Sequence, residues 1–594
     1  MRTAILFYGV ASLWLATAAL AHDDLDGTRF VAPAGIDSGD CDEREAPCRT
    51  LTYALTQSQP GDAIEFGAGT YDLSGADLES IAFGKYGIRG GYSTADGFRQ
   101  QDADANITRL LGVDPKYLSS LAAHGFLLVD TAGQPIAAAP PNKLAAPTTC
   151  INGFAGSFPC RNVDFLAQVT LAEFSSRPTS GSNVWGFVDR NDNREYAVMG
   201  HRNGTTVFDV TTPAAPREVG TIDGVASLWR EVKILQLQDA ATGRFKAYAY
   251  VSTEGTDGGL QVLDLTDLPN TVRLANTLRD ISRAHTVYVG NVEYAGNTPL
   301  PGRQPYLVVA GSNLDGGALR LYDLADPSTP RLTSAAPPGA EYMHDSTSFV
   351  ITDNRTTQCA AAHNPCELLI DFNENQVEIW DVTDKAAPTR LSRTGYPNAT
   401  YVHSGWWTED KRYVIVHDEL EELRRGLNTQ MYTLDLADLR APTVTTSYSG
   451  PETATDHNGY ALGNRYYVSH YKRGLVIFDI SNPLSLSEVA SFDTYLTPAA
   501  NSAGTDGAWG AYPYLPSGTI LLSDIENGLF LLKLNETSAV TPPAPVAPPT
   551  PAPAPTPIAA PGGGGGAIDL AWLMLLALLV WRQAHRKRAP RTGT

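Results

Sequence analysis

The sequence is short of positive charge, of cysteine and of the compact motifs that mark many enzymes. Over 594 residues, 44 Lys and Arg face 64 Asp and Glu, leaving a formal net charge of −20. So acidic a chain lacks the electrostatic footprint of a nucleic-acid binder, and that partner class is excluded. There are six cysteines and no CxxC pair, which argues against thiolate metal sites. No GxSxG elbow, P-loop, HExxH or dinucleotide fingerprint stands in a suitable context, so the reading leans away from an enzyme without removing one. Long apolar runs are scarce too. The segment 567–581 is interrupted by Asp569 and is marginal for a permanent membrane span.

What is present points to export. The cysteines fall in local pairs, Cys41/Cys48, Cys150/Cys160 and Cys359/Cys366. Adjacency favours three short-loop disulfides among the possible connectivities, and disulfides belong to an oxidising compartment. Residues 1–21 carry Arg2, an apolar run and the small-x-small end Ala19-Leu20-Ala21, the pattern of a signal peptide cut by signal peptidase. Residues 536–561 are a Pro/Ala-rich linker, an extended spacer. Residues 562–594 hold a glycine run, the short apolar segment and a basic cluster, Arg582, Arg586, Lys587, Arg588 and Arg591. The basic end should stay cytoplasmic, with the body of the chain outside.

The middle of the chain is organised by a repeat. Residues 474–483 read GLVIFDISNP, and variants recur at 206–213, 260–269, 319–327, 377–388 and 431–442, with a degenerate copy at 528–536. The Asp residues of the copies are Asp209, Asp264, Asp323, Asp381, Asp435 and Asp479. A period of roughly 45–60 residues with about four strands per unit is the signature of a β-propeller. In the six full copies the strand ends on Asp, with a further carboxylate or hydroxyl residue and a Pro after it, which predicts a turn and not catalysis. First strands start near Trp185, Trp229, His285, His344, His403, His457 and Trp509, which gives seven blades, with six or eight as alternatives. The seventh lacks a fourth strand, and residues 162–171 (NVDFLAQVTL) are placed to supply it and remove an exposed edge.

Four of the first strands open with histidine: His285, His344, His403 and His457, at spacings of 59, 59 and 54 residues. Equivalent positions on successive blades form a ring around the channel. Four imidazoles in a polar cavity can hold Zn, Cu, Ni or Fe, with Asp345 and Asp456 as further ligands or supports. The same histidines could instead bond a neighbouring blade's backbone, or transfer protons. Arg230 could bind an anion or pair with Glu231. Trp185, Trp229, Trp406 and Trp509 would line the mouth or pack between blades. Residues 189–195 (DRNDNRE) read as a hairpin loop sooner than a calcium loop, and 417–422 (HDELEE) as a solvated insertion.

Upstream, residues 29–133 form a small accessory α/β domain. Its opening stretch, RFVAPAGIDSGDCDEREAPCRTLTYALTQSQPGDAIEFGAGTY at 29–71, predicts a helix near 50–57 and a strand at 63–66. A further helical stretch is predicted at 115–125 and a strand at 126–130; 134–149 is a linker to the propeller at 150–535. The opening stretch resembles the first turn of a parallel β-helix of the pectin-lyase type, and that resemblance is all that suggests carbohydrate processing.

Two further resemblances rest on longer matches. The glycine run, apolar segment and basic tail of 562–594 are similar to the GlyGly-CTERM sorting signal of Gram-negative bacteria. That resemblance implies cleavage by a rhombosortase-like protease and transfer to a surface lipid anchor, with an ordinary tail anchor as the alternative. The body resembles the choice-of-anchor B family of surface proteins with LVIVD-type propeller repeats. The pieces that carry it are CINGFAGSFPCRNVDFL (150–166), NVWGFVDRNDNREYAVMG (183–200), SLWREVK (227–233), LSRTGYPNATYVHSGWWTED (391–410), TATDHNGY (453–460) and LLSDIENGLFLL (521–532). The resemblance implies a cell-surface location and brings no activity with it. The expectation is therefore an exported, anchored propeller that binds a surface protein, glycan or peptide, with a channel metalloprotein or metalloenzyme as the alternative.

Overall fold

The computed structural model describes residues 28–58, 62–73, 87–99, 101–103, 105–113, 121–122, 124–136, 143–255, 257–496 and 501–535. The signal peptide, most of the helical stretch at 115–125, part of the linker at 134–149 and everything from 536 onward lie outside the described residues. No helix among the described residues is long and apolar enough to cross a membrane.

Seven antiparallel sheets of four strands are arranged radially. Their innermost strands are Gly181–Val188, Val232–Gln238, Thr286–Gly290, Asp345–Ile351, Val402–Trp407, Asn458–Leu462 and Ala508–Tyr512. Each packs on the next and the seventh packs on the first, which closes a seven-bladed propeller. The last blade has strands Ala508–Tyr512, Thr519–Asp524 and Gly528–Leu534, and Val163–Val169 supplies its fourth. Sequence-distant segments thus close the ring and leave no open sheet edge at the join. Blade 6 is extended by the hairpin Phe154–Ala155 and Phe158–Arg161, tied by the Cys150–Cys160 disulfide. Cys41–Cys48 and Cys359–Cys366 are also bonded, as the spacing predicts.

The sequence pattern follows from this packing. The first three strands of a blade are covered on both faces by neighbouring blades, so they read as near-continuous apolar runs. The third strand of blade 6, Leu475–Asp479, is buried until its final Asp. Outer strands such as Arg217–Asp223 are half exposed and have no comparable signature. The repeated Asp ends each third strand and accepts a hydrogen bond from the N–H two residues on: Thr211, Thr266, Ala325, Thr383, Ala437 and Ser481. These are turn residues. In every blade the pairing of third and fourth strands shifts register once, and in blades 1 to 4 and 6 the shift falls just before that turn. A bulge there adds local twist at the outer edge. Gly474 opens the third strand of blade 6 at φ 71°, with the Phe492 carbonyl where a Cβ would stand.

The N-terminal region is a pair of three-stranded parallel sheets. One holds Thr28–Val31, Ala63–Gly67 and Gly87–Tyr92; the other holds Gly69–Asp72, Thr108–Leu111 and Phe126–Val129. The helix α1 (Leu51–Thr56) is capped by the Thr50 hydroxyl. Ile64, Phe66, Leu110 and Leu128 form its core. This region is seated on the propeller. Ala63 packs with Tyr401, Leu420 and Leu423, and the Arg89 guanidinium lies 4.5 Å from the Trp229 ring centre.

Candidate metal centre at the capped channel mouth

Where the chain enters each inner strand, side chains tie one blade to the carbonyl of the next. Ser182 donates to Arg230, Thr286 to His344, Ser404 to His457, and the imidazoles of His344 and His457 to His403 and Trp509. The four histidines therefore hold one structural level in blades 3 to 6. Their ring centres follow at 4.1, 4.4 and 4.6 Å, an arc on one side of the axis. Trp509, Ser182 and Arg230 complete the level in blades 7, 1 and 2.

The bonds fix the tautomers. His344 and His457 donate Nδ1–H to carbonyls at 3.0 and 2.6 Å, and His285 Nδ1 lies 2.5 Å from the Glu254 carboxylate. A proton held on Nδ1 puts the lone pair on Nε2, the tautomer metal-binding histidines use. Structural bonding and ligation are therefore compatible here, because they use different nitrogens. Burial holds His403 well below its ordinary pKa and brings His457 down to about 3. Both are neutral, as ligands must be.

Glu419 completes the group. Its two oxygens lie 3.5 Å from His403 Nε2 and 3.9 Å from His457 Nε2. Donor atoms of His403, His457 and Glu419 all fall within 4.8 Å of one another, and all three residues are buried. One ion with ligand bonds near 2.0–2.2 Å spans that distance with small adjustments. Burial raises Glu419 to about 7, partly offset by the hydrogen bond from Tyr471 at 2.6 Å. His285 and His344 continue the arc outside this tight set.

The site is closed on two sides. Above it, Ile88, Arg89 and His124 of the N-terminal region roof a cavity of about 40 Å³ with Trp229 and Trp509. His124 Nε2 lies 3.6 Å from Asp506. That volume admits no more than a few waters. Below is a chamber of about 20 Å³ lined by Glu231, Thr286, Asp345 and Asn458. Deeper still the channel is filled by aromatic rings. Trp185 packs on Tyr460 and Tyr512 at 5.4 and 4.9 Å, and Trp406 packs on Tyr460 and Tyr294 at 4.9 and 5.1 Å.

Several residues take places other than those the repeat spacing suggests. Trp185 and Trp406 belong to this aromatic plug; only Trp229 and Trp509 reach the mouth. Arg230 is buried and bonds backbone carbonyls and not Glu231. Its guanidinium donates to the carbonyls of His201 and Val225, and Glu231 pairs with Lys233. Asp456 turns away from the arc and bonds His417. Asp345 lines the lower chamber, where burial raises its pKa. The stretch 417–422 is buried and not a solvated insertion, and it delivers Glu419 to the mouth. Blade 5 alone carries this acidic turn, so repeat alignment offered nothing to compare it with. Residues 189–195 form the hairpin between Gly181–Val188 and Glu195–His201. Cys359, Cys366 and Asp381 also converge, but both sulfurs are in a disulfide.

A family model, the LVIVD repeat, matches residues 460–494, which cover most of blade 6. No curated protein matches. Among solved structures, a functionally unknown protein from Desulfotomaculum acetoxidans is 13% identical, with TM-score 0.35, covering 54% of this chain and 87% of that one. The β-propeller domain of Cps50 (Swd1) from Myceliophteria thermophila is 12% identical, with TM-score 0.35, covering 59% and 96%.

Proposed function

We propose that this protein is a metalloprotein whose His403, His457 and Glu419 hold one divalent transition ion, Zn, Cu, Ni or Fe, at the capped mouth of the propeller. The observation that carries the reading is the convergence of two neutral imidazoles and a carboxylate in a buried site. Two imidazoles and one carboxylate suit both zinc and non-haem iron, and leave positions open for a small ligand. The ion would supply Lewis acidity. The chain's own groups hold both imidazoles neutral, fix the His457 tautomer through the Trp509 carbonyl and keep the bulk of solvent out. Element-resolved mass spectrometry on protein purified without a chelating tag tests the reading. About one equivalent of metal, lost in Glu419→Gln and in His403→Asn, is expected. Wild-type protein that takes up none of the four metals overturns it.

A groove of about 330 Å³ on the rim favours a second reading, a binding or scaffold module. Phe165–Val169 flank it on one side and Ala214–Pro216 on the other, with Lys143, Glu173 and Glu218 at its edges. It could take an extended surface peptide or a glycan.

For location, three disulfides support an exported protein. We propose that it is a choice-of-anchor B type surface protein of a Gram-negative bacterium, with residues 562–594 as a GlyGly-CTERM signal handled by a rhombosortase-like protease. Deleting 562–594 should release the protein into the medium, and continued retention would refute that anchor.

A further inference from the structure

The cover over the mouth limits what a metal ion on His403, His457 and Glu419 can bind. Three donors leave a tetrahedral centre one open position and a six-coordinate centre three. Such a position has two spaces to face. Upward lies the cavity of about 40 Å³ roofed by Ile88, Arg89 and His124. Downward lies the chamber of about 20 Å³ that holds the carboxyl groups of Glu231 and Asp345.

The two spaces differ in size and in sign. One water needs about 10–15 Å³, so the lower chamber takes a single water and the upper cavity about three. A ligand of two or three non-hydrogen atoms fits above, whereas an aromatic acid, a sugar or a peptide does not. Among the described residues that line the upper cavity, the metal donor Glu419 is the one carboxylate. Arg89 is 8% exposed, and its guanidinium lies 4.5 Å from the Trp229 ring centre, so the ring holds the cation at the cavity wall. In so small a space an occupant bonded to the metal lies against the roof. Below, burial raises Glu231 to about 7 and lifts Asp345 as well, and Glu231 pairs with Lys233. An anion placed there would face two acidic groups.

We propose that the metal's open position faces the roof and takes a small inorganic anion of two or three atoms. Arg89 selects the negative charge, and Ile88 and His124 exclude anything larger. This rests on the metal reading of His403, His457 and Glu419, and adds to it the class of ligand. A buried guanidinium attracts an anion more strongly than one in water, and a charge-assisted contact is worth about tenfold or more in affinity. Azide is the probe, and cobalt(II) loaded into the full-length protein is the reporter, since its visible absorption follows its coordination shell. Azide should shift the cobalt bands along a single-site isotherm, whereas the much larger anion benzoate should leave them unchanged. Arg89→Met keeps an unbranched side chain over the mouth without the charge, and should weaken azide about tenfold or more. Failure of the protein to take up cobalt overturns the metal reading and this proposal with it. Bound cobalt whose bands azide does not move overturns this proposal alone. So does a wild-type response to benzoate as strong as to azide, or an azide affinity unchanged in Arg89→Met.

Discussion

Replacing His457 by Asn separates the two uses of that imidazole. The amide nitrogen of Asn reaches where Nδ1 stands, so the bond to the Trp509 carbonyl, now 2.6 Å, survives. The Nε2 donor and the ring are lost. That ring packs on Tyr471 at 4.5 Å and on Trp509 at 5.1 Å. Aromatic contacts are worth about 0.5–1.5 kcal/mol each, so the metal-free variant should be less stable by roughly 1–3 kcal/mol. Metal at 100 times its Kd stabilises the wild type by about 2.7 kcal/mol. If losing one of three donors raises Kd about 100-fold, the same metal concentration leaves only about 0.4 kcal/mol. The assay is thermal unfolding of both proteins, stripped and metal-loaded. A metal-induced shift in the variant as large as in the wild type would refute ligation by His457. The absence of any shift in the wild type would refute the site.

Other outcomes follow from the same geometry. Burial pushes Asp493 up to about 7, against an ordinary value of 3.8. An acid raised on folding binds its proton more tightly in the native state, so its contribution costs stability as pH rises from about 4 to 7 and changes little above that. Asp493→Asn, which can still accept from Tyr495 N–H, should be near neutral at pH 4 and stabilising at pH 8, by at most about 4 kcal/mol; an equal effect at both pH values would refute the shift. Arg89→Ala removes the cation over Trp229 and opens the roof, so a chelator should strip metal about tenfold faster with little change in Tm; an unchanged stripping rate would show that the roof does not limit access. Asp479→Ala deprives the Ser481 N–H, 2.8 Å away, of its acceptor and should cost about 1 kcal/mol without altering metal content; loss of metal would contradict its role as a turn residue.

Legibility tracked burial and repetition. The third strands could be read because both faces are covered and the Asp turn recurs at each end, as in Leu475–Asp479 and Ser481. Fourth strands such as Arg217–Asp223 carry no such signature, since their half-exposed positions tolerate polar residues of any pattern. Strand Val163–Val169 was legible as the closing strand because the seventh unit visibly lacked one. His285, His344, His403 and His457 were found by spacing alone, since equal blade positions are also equal channel positions.

The sequence by itself determined the propeller and the shared level of the four histidines, and it favoured seven blades and three local disulfide pairs, because all of these follow from local pattern or from a regular period. Only the tertiary structure decided the chemistry of the mouth. Glu419 comes from a turn without counterpart in other blades, Arg89 and His124 come from a separate region more than 270 residues before His403, and Asp456 faces the opposite way from its neighbour His457. Side-chain direction and non-repeating contacts are properties of packing in three dimensions, and no periodicity in one dimension encodes them.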